Sequence, residues 1–164
     1  MLRRTQIRAE KVYREIEKAG CLTSAVIAEQ LQIAHNELFY VLRRLRQEGF
    51  VESVNFGRAT FWCAGRAAAE EVFAKLTEAL KKLLCRRGRF ATPKEALQYI
   101  AEDKEARKLF SRHMPMRFNT ATAQVIDALM LKAFGQPIET SRGRIYHIRC
   151  APTEKTPTGT TPQG

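Results

Sequence analysis

Apolar residues in the first 65 positions recur at helical spacing three times and then at strand spacing twice. Ile7, Val12 and Ile16 form one face of a first helix, and Thr23 or Ser24 can cap a second. Two short strands rich in β-branched and aromatic residues follow a glycine stop. The pattern predicts helices over residues 6–18, 24–31 and 35–49, and strands over 50–54 and 59–63 that flank a turn at 55–58.

A longer amphipathic run covers residues 66–87. Its apolar stripe has a near-heptad 3-4-3 spacing and consists of Phe73, Leu76, Leu80 and Leu83. Such a stripe can pair with a copy of itself and give a homodimer through helix 66–87. It can equally pack against the second half of the same chain. The sequence leaves both alternatives open.

The rest of the second half combines strong helix starts with another hairpin pattern. Thr92, Pro93 and Glu95 suit the cap, first and third positions of a helix, and Asn119 or Thr120 suits the start of another. The pattern predicts helices that begin near 93, cover 104–112 and cover 119–134, and strands over 137–140 and 144–149 across a turn at 141–143.

These elements predict a mainly α fold with small β-hairpins, an α+β architecture. We expect a domain over residues 1–65, and a long helix with a second helical domain and a C-terminal hairpin over residues 66–150. Both parts end in a helix, a glycine and a hairpin with an arginine beside the turn glycine, so the architecture could be duplicated. Residues 151–164 are rich in Pro, Thr and Gly, and we expect a disordered tail there.

Composition and charge narrow the class of protein. A hydrophobic fraction of 45% fits a globular chain, and no apolar run approaches the ~18 residues of a membrane span. The first 16 residues carry charges where a signal peptide needs apolar residues, so we expect a cytoplasmic protein, associated with the nucleoid in a prokaryote.

The net charge of +11 favours a nucleic-acid partner, because neutralisation of phosphates drives non-specific binding, although membranes and acidic proteins also attract basic chains. Residues 1–65 carry 10 basic and 7 acidic side chains, whereas residues 66–150 carry 17 and 9. Most of the excess positive charge therefore lies in the second part.

The four cysteines, Cys21, Cys63, Cys85 and Cys150, stand far apart, without a CxxC pair or a histidine at ligand spacing. A zinc site is therefore not expected. In a reducing cytosol we expect four buried thiols, whereas an intracellular protein of a hyperthermophile could pair them. Only 2 Asp beside 15 Glu, and 18 Arg beside 10 Lys, hint at such a heat-adapted source.

The third helix has two chemically distinct faces. Its apolar residues fall within an arc of about 100° that must face the core. The opposite arc holds side chains that read base edges or bind phosphates, although an ordinary solvated helix face has a similar composition. These residues are Asn36, Tyr40, Arg43, Arg44 and Gln47.

The helix end LRRLRQEGFV, from Leu42 to Val51, resembles the winged helix-turn-helix domain of MarR- and ArsR-type transcription regulators. The resemblance covers residues 6–65. It implies a transcription regulator in which helix 35–48 lies in the major groove of DNA and a wing over 50–63 contacts the backbone. In the family's pattern the following positions lie in or along the major groove: Asn36, Glu37, Tyr40, Arg43 and Arg44.

By the same resemblance, Arg58 at the wing tip meets the backbone or the minor groove. The chain departs from the pattern at Phe39 and Tyr40, where these regulators usually have small or polar residues. Two aromatic side chains there suit stacking and contacts with thymine methyl groups, or a protein interface.

Further arginines are candidate phosphate contacts in the second half. They form a phosphate-binding surface if they converge, and only increase solubility if they are dispersed. The candidates are Arg86, Arg87, Arg89, Arg142 and Arg144, with Arg112, Arg117 and Arg149 nearby in sequence. Helix 119–134 is apolar on nearly every side, so we expect it to be buried or bound to a partner rather than to read a DNA groove.

Catalytic motifs and ligand spacings are missing from the sequence, so neither an enzyme nor a cofactor or metal site is expected. The leading hypothesis is a transcription regulator that binds double-stranded DNA. Two alternatives stay open. One is a winged-helix subunit or adaptor that contacts other proteins of a transcription or replication assembly. The other is a sequence-neutral chromatin or replication-initiation protein.

Overall fold

A computed structural model describes residues 3–150 of the protein; the predicted tail at 151–164 lies outside the described residues. This part of the chain is mainly helical with small antiparallel sheets, so the predicted α+β class is confirmed at that level. In chain order the elements are α1 (Arg3–Ala19), β1 (Cys21–Thr23), α2 (Ser24–Leu31), α3 (His35–Gln47), β2 (Glu52–Phe56), β3 (Ala59–Cys63), α4 (Arg66–Cys85), β4 (Phe90–Ala91), α5 (Pro93–Glu102), α6 (Lys104–Ser111), α7 (Thr120–Phe134), β5 (Ile138–Thr140) and β6 (Gly143–His147).

The two halves repeat one order of elements. In the first half, α1, β1, α2 and α3 precede the hairpin β2–β3, and the sheet has the order β1-β3-β2. In the second half, α4, β4, α5 and α7 precede the hairpin β5–β6, and the sheet has the order β4-β6-β5. Only α6 is additional. The duplicated architecture suggested by the sequence is therefore present in the topology.

Side-chain caps explain where α2, α5 and α7 start. The Thr23 hydroxyl accepts a hydrogen bond from the Val26 nitrogen at 3.4 Å. Thr92 and Glu95 form the predicted capping box at the start of α5. The Asn119 side chain accepts from the Thr122 nitrogen at 2.9 Å and caps α7. The helix starts predicted from these residues are confirmed.

Both hairpins differ from the prediction in the length of their turns. Phe56 pairs with Ala59, so only Gly57 and Arg58 connect β2 to β3, and the predicted turn at 55–58 is too long. Ladder pairing likewise extends β6 back to Gly143. The short strands β1 and β4 were not predicted from the sequence, because each of them exists only as a partner for the central strand of its sheet.

The first sheet lies between two hydrophobic clusters. Trp62 of β3 packs with α1, α2 and α3, whereas its neighbour Phe61 packs with α4 and the core of the second half. Both side chains are buried, on opposite faces of the strand as the alternation predicts. Phe56 stacks on Phe73 with ring centroids 4.5 Å apart, and so anchors the hairpin on α4. The two halves therefore share the first sheet as a common layer.

The apolar stripe of α4 is buried within its own chain. Leu76 and Leu80 have no exposed surface, and Phe73 and Leu83 are also buried in the second-half core. Of the two alternatives that the sequence left open, the structure therefore shows the second, in which the stripe of helix 66–87 packs against the second half of the same chain and is not free for a homodimer. The second half supplies α5, α6 and α7 as the packing partners instead.

The cysteines form two disulfides, so the expectation of four buried thiols is wrong. Cys21 and Cys63 are directly paired residues of β1 and β3, with Cα atoms 4.0 Å apart. Cys85 at the end of α4 joins Cys150, with Cα atoms 5.8 Å apart. The first pair could not be predicted from the sequence because β1 was not predicted.

Within residues 3–150, no helix is long and apolar enough to cross a membrane.

Candidate functional site

Helix α3 carries the candidate residues on a single exposed line. Its apolar face, with Leu38 and Leu42, is fully buried in the first-half core. The opposite side is exposed and holds Asn36, Tyr40, Arg43 and Gln47. Tyr40 keeps 47% of its surface exposed, which is high for an aromatic residue. The fold thus presents four of the predicted residues together.

Two other predicted residues lie at the edge of this line and are ion-paired. Glu37 pairs with Arg8 of α1. Arg44 pairs with Glu48 one turn later on the same helix, at 3.3 Å. Their charges are therefore partly neutralised within the chain. Arg43 has no such partner among the described residues, so its charge is not compensated within that part of the chain.

The side of α3 that holds Arg43 borders a groove of about 650 Å³, which we call the first groove. It lies between α3, the β2–β3 hairpin and the chain segment that leads into α7. Three arginines line it, namely Arg43, Arg46 and Arg117, and its described lining residues include no carboxylate. Because nothing in the lining offsets these charges, the first groove attracts anions.

Arg46 is held in place by the hairpin. Its guanidinium donates to the Ser53 hydroxyl at 3.3 Å and lies 5.7 Å from the centre of the Trp62 ring. Asn55 and Thr60 line the same face of the hairpin and are hydrogen-bonded to each other at 2.9 Å. Sequence reasoning missed Arg46, although its spacing of three residues after Arg43 places both on one side of the helix.

Arg58 is exposed at the hairpin tip, but the tip itself is not free. The adjacent Gly57 lies so close to α7 that a Cβ atom there would come within 2.7 Å of the Gln124 carbonyl oxygen. The hairpin is thus fixed against the second half, and Arg58 does not line the first groove. Its predicted contact with DNA backbone stays a prediction.

The second-half arginines do not converge on one surface. Arg86 pairs with Asp103 at 3.8 Å, and Arg87 lies over the Tyr99 ring at 4.9 Å from its centre. These two and Arg89 lie near the end of β6 that pairs with β4. Arg142 and Arg144 lie towards its opposite end, about 10–17 Å away by strand rise. Arg112 and Arg149 are exposed. Of the eight second-half arginines that the sequence analysis names, only Arg117 lines the first groove.

Arg144 has a structural role that limits its use as a phosphate contact. It bridges Asp127 at 2.9 Å and Glu139 at 3.2 Å, and Asp127 chiefly raises its pKa. Asp127 also accepts a hydrogen bond from the Tyr146 hydroxyl at 2.8 Å. Burial and then this bond raise the pKa of Tyr146 to about 12. The predicted phosphate contact at Arg144 is therefore occupied by carboxylates of its own chain.

The middle of helix α7 is buried, whereas its first turn is exposed, as are Leu131 and Lys132 near its end. Leu129, Met130 and Phe134 are buried, which agrees with the expectation that the apolar body of this helix is buried. Thr120 and Ala121 in the first turn are exposed, as is most of Phe118 just before it. The sequence of the helix, which is apolar on nearly every side, did not reveal this difference in exposure between its first turn and its middle.

Among residues 3–150 no cluster of His, Cys, Asp or Glu could hold a metal ion.

Comparison with known proteins gives one likeness in fold. No protein-family model matches the chain, and no curated protein matches it. The crystal structure of a hypothetical protein from Pyrobaculum spherical virus is similar, with a TM-score of 0.84 at 22% sequence identity. The likeness covers 90% of this chain and 97% of that one, so the whole arrangement of both halves occurs in a second protein.

Proposed function

We propose that this protein binds double-stranded DNA through α3 and the first groove and acts as a transcription regulator. The observation that carries the proposal is the position of Arg43, Arg46 and Arg117, which line one groove free of carboxylates. A phosphate backbone has the negative charge that complements these three arginines. Each neutralised phosphate releases counterions, which is a major part of the affinity of proteins for DNA.

The topology supports a winged-helix assignment for both halves. Each has a helix, a short strand, further helices and a hairpin, with the short strand paired to the last strand of its sheet. In such a domain the helix before the hairpin enters the major groove. That helix is α3 in the first half. Its exposed Asn36 and Gln47 offer amide groups of the kind that pair with adenine, and Arg43 can reach guanine or phosphate.

A protein-interaction role draws on a different observation. Phe39 and Tyr40 are 40% and 47% exposed on α3. Both stand next to Arg43, however, and Phe39 itself lines the basic groove, so a protein partner would need an acidic surface. Co-purification of a stoichiometric partner together with weak DNA binding would favour this second candidate.

The test is a binding titration of the purified full chain against random duplexes at several salt concentrations. We expect binding at low salt with a slope of log K against log salt of about −0.9 for each phosphate contact. The variant Arg43→Ala/Arg46→Ala should bind more weakly and have a slope less negative by about 2. Lys104→Ala/Arg107→Ala removes the same charge from exposed positions of α6 that do not line the groove, and serves as the control.

The proposal fails if the wild-type protein binds no duplex at low salt, or if the α3 variant and the control lose the same affinity. Selection from a random duplex pool then separates sequence-selective from sequence-neutral binding. Recovery of a shared motif is expected for a regulator, whereas equal binding of all duplexes and of single strands indicates the sequence-neutral alternative.

A further inference from the structure

A second groove, of about 710 Å³, lies on the other side of α7. It is bordered by the start of α5, the first half of α7 and the β5–β6 turn. Three cations line it, Lys94, Arg142 and Arg144, and of these Lys94 and Arg142 have no ion-pair partner within residues 3–150. The one carboxylate in its described lining is Asp127, which forms an ion pair with Arg144. The second groove is therefore also suited to an anion.

The two grooves are adjacent and meet at Asn119, which lines both. On α7, Ala121 and Thr122 border the first groove, whereas Thr120 and Ala123 border the second. The first half of α7 thus lies between two basic grooves. A helix with its side chains is only about 10–12 Å across, so a single extended ligand can reach both grooves.

An exposed aromatic residue marks the place where the grooves meet. Phe118 is 67% exposed, the highest value among the exposed large apolar residues of the described chain. It stands between Arg117, which lines the first groove, and Asn119, which lines both. Apolar side chains in such positions contact bases in the minor groove and can open a base step.

We propose that one DNA duplex lies across both grooves of a single chain. With α3 in the major groove, the backbone bordering it occupies the first groove, and the backbone across the adjacent minor groove occupies the second. Lys94 and Arg142 then contact the second backbone, and Phe118 faces the minor groove between them. This inference rests on the proposed function and extends it, since one chain holds both backbones and needs no palindromic site.

Charge and continuity favour DNA as the occupant of the second groove. The groove is continuous with the proposed DNA surface at Asn119, and its free charges are positive. The pairing of Asp127 with Arg144 removes the negative charge that would otherwise repel a phosphate. The same pairing leaves Arg142, two residues earlier on the turn, as the arginine available there.

The test compares Lys94→Ala/Arg142→Ala with the control Lys104→Ala/Arg107→Ala in the same salt titration. We expect the second-groove variant to make the slope less negative by about 2, and the control to leave it unchanged. Phe118→Ala should lower the affinity without changing the slope, because it removes an apolar contact. Native mass measurement should give one chain per duplex, and hydroxyl-radical footprinting should protect both strands across one minor groove.

The possible failures are distinguishable. If Arg43→Ala/Arg46→Ala loses binding while Lys94→Ala/Arg142→Ala matches the wild type, the inference is wrong and the proposed function stands. Two chains on each duplex would also overturn the inference alone. Absence of any duplex binding by the wild type overturns both.

Discussion

Gly57 at the tip of the first hairpin lies directly against Gln124 of α7: a Cβ atom at position 57 would come within 2.7 Å of the Gln124 carbonyl oxygen. Gly57 also has a φ of +65°, which favours glycine. A side chain at this position would therefore meet backbone atoms that cannot turn aside. This contact fixes the hairpin of the first half on a helix of the second.

We expect Gly57→Ala to lower the free energy of unfolding by about 1–3 kcal/mol, because it combines an unfavourable φ with a collision against α7 backbone. Gly49→Ala is the matched control, since Gly49 has a φ of +83° but no atom within 4 Å of its Cβ position. Urea denaturation measures both. Equal losses of unfolding free energy in the two variants would show that the contact with α7 adds nothing to the effect of Gly57→Ala.

The neighbouring arginines of α3 should differ in their effect on DNA binding. Arg43 lines the first groove without an ion-pair partner in the described chain, whereas Arg44 pairs with Glu48 at 3.3 Å. We expect Arg43→Ala to weaken binding by about 1–3 kcal/mol and Arg44→Ala by much less. Fluorescence anisotropy with one labelled duplex measures both. A larger effect of Arg44→Ala would place the DNA on the other side of α3.

The two disulfides should respond differently to a reductant under native conditions. Cys85 and Cys150 are exposed, whereas Cys21 and Cys63 are fully buried in the cluster that also contains α4. Thiol exchange requires access to the sulfur, so the Cys85–Cys150 bond should be reduced first. Alkylation followed by mass spectrometry identifies the order. Simultaneous reduction of both would indicate that the chain unfolds before either bond is attacked.

Replacing Cys85 and Cys150 with Ser should also destabilise the protein. The bond closes a loop of 65 residues, for which chain entropy gives a contribution of about 4 kcal/mol as an upper value. The free energy of unfolding with and without reductant provides the measurement. A stability unaffected by reduction would show that the bond does not restrict the unfolded chain.

His113 makes stability depend on pH. Its ring is buried where α6 ends against β1, and its Nδ1 donates to the Cys21 carbonyl at 2.8 Å. Burial lowers the pKa of His113 below 6.5, despite the opposing effect of this bond, and Arg112 and Lys75 lower it further. At a pH between the two pKa values, His113 therefore binds a proton in the unfolded chain but not in the folded chain.

The free energy of unfolding should therefore not change with the protonation of His113 above pH 6.5. It should decrease as the pH falls below 6.5 towards the pKa of His113 in the folded chain. Denaturation curves between pH 8 and pH 5 measure the change. His113→Gln keeps a donor near Cys21 and does not titrate, so its stability should fall less over this interval. Parallel losses in wild type and variant would exclude His113 as the cause.

Local signals in the sequence located most of the helices. The capping residues Thr92 and Asn119 start α5 and α7 as predicted, because a cap acts on backbone groups three residues away. The apolar arc of α3 likewise identified its buried side and hence its exposed line. Such features depend on neighbours along the chain, which a sequence shows directly.

The short strands and disulfides could not be found in this way. β1 has three residues and β4 has two, too few for an alternating pattern, and each is defined by hydrogen bonds to a distant strand. The pairing of Cys21 with Cys63 follows from the same register. The packing partner of the apolar stripe on α4 could not be predicted either, because the same leucine spacing suits packing against the same chain or against a second copy.

By itself the sequence determined the helices, both hairpins, the α+β class and the exposed line on α3, because periodicity and capping act over a few residues. Only the tertiary structure decided which charges remain free. Arg144 of β6 is paired with Asp127 of α7, whereas Arg43 and Arg46 of α3 meet the distant Arg117 in one groove without a carboxylate. Charge compensation depends on distances between atoms that lie far apart in sequence, and these distances are set by packing.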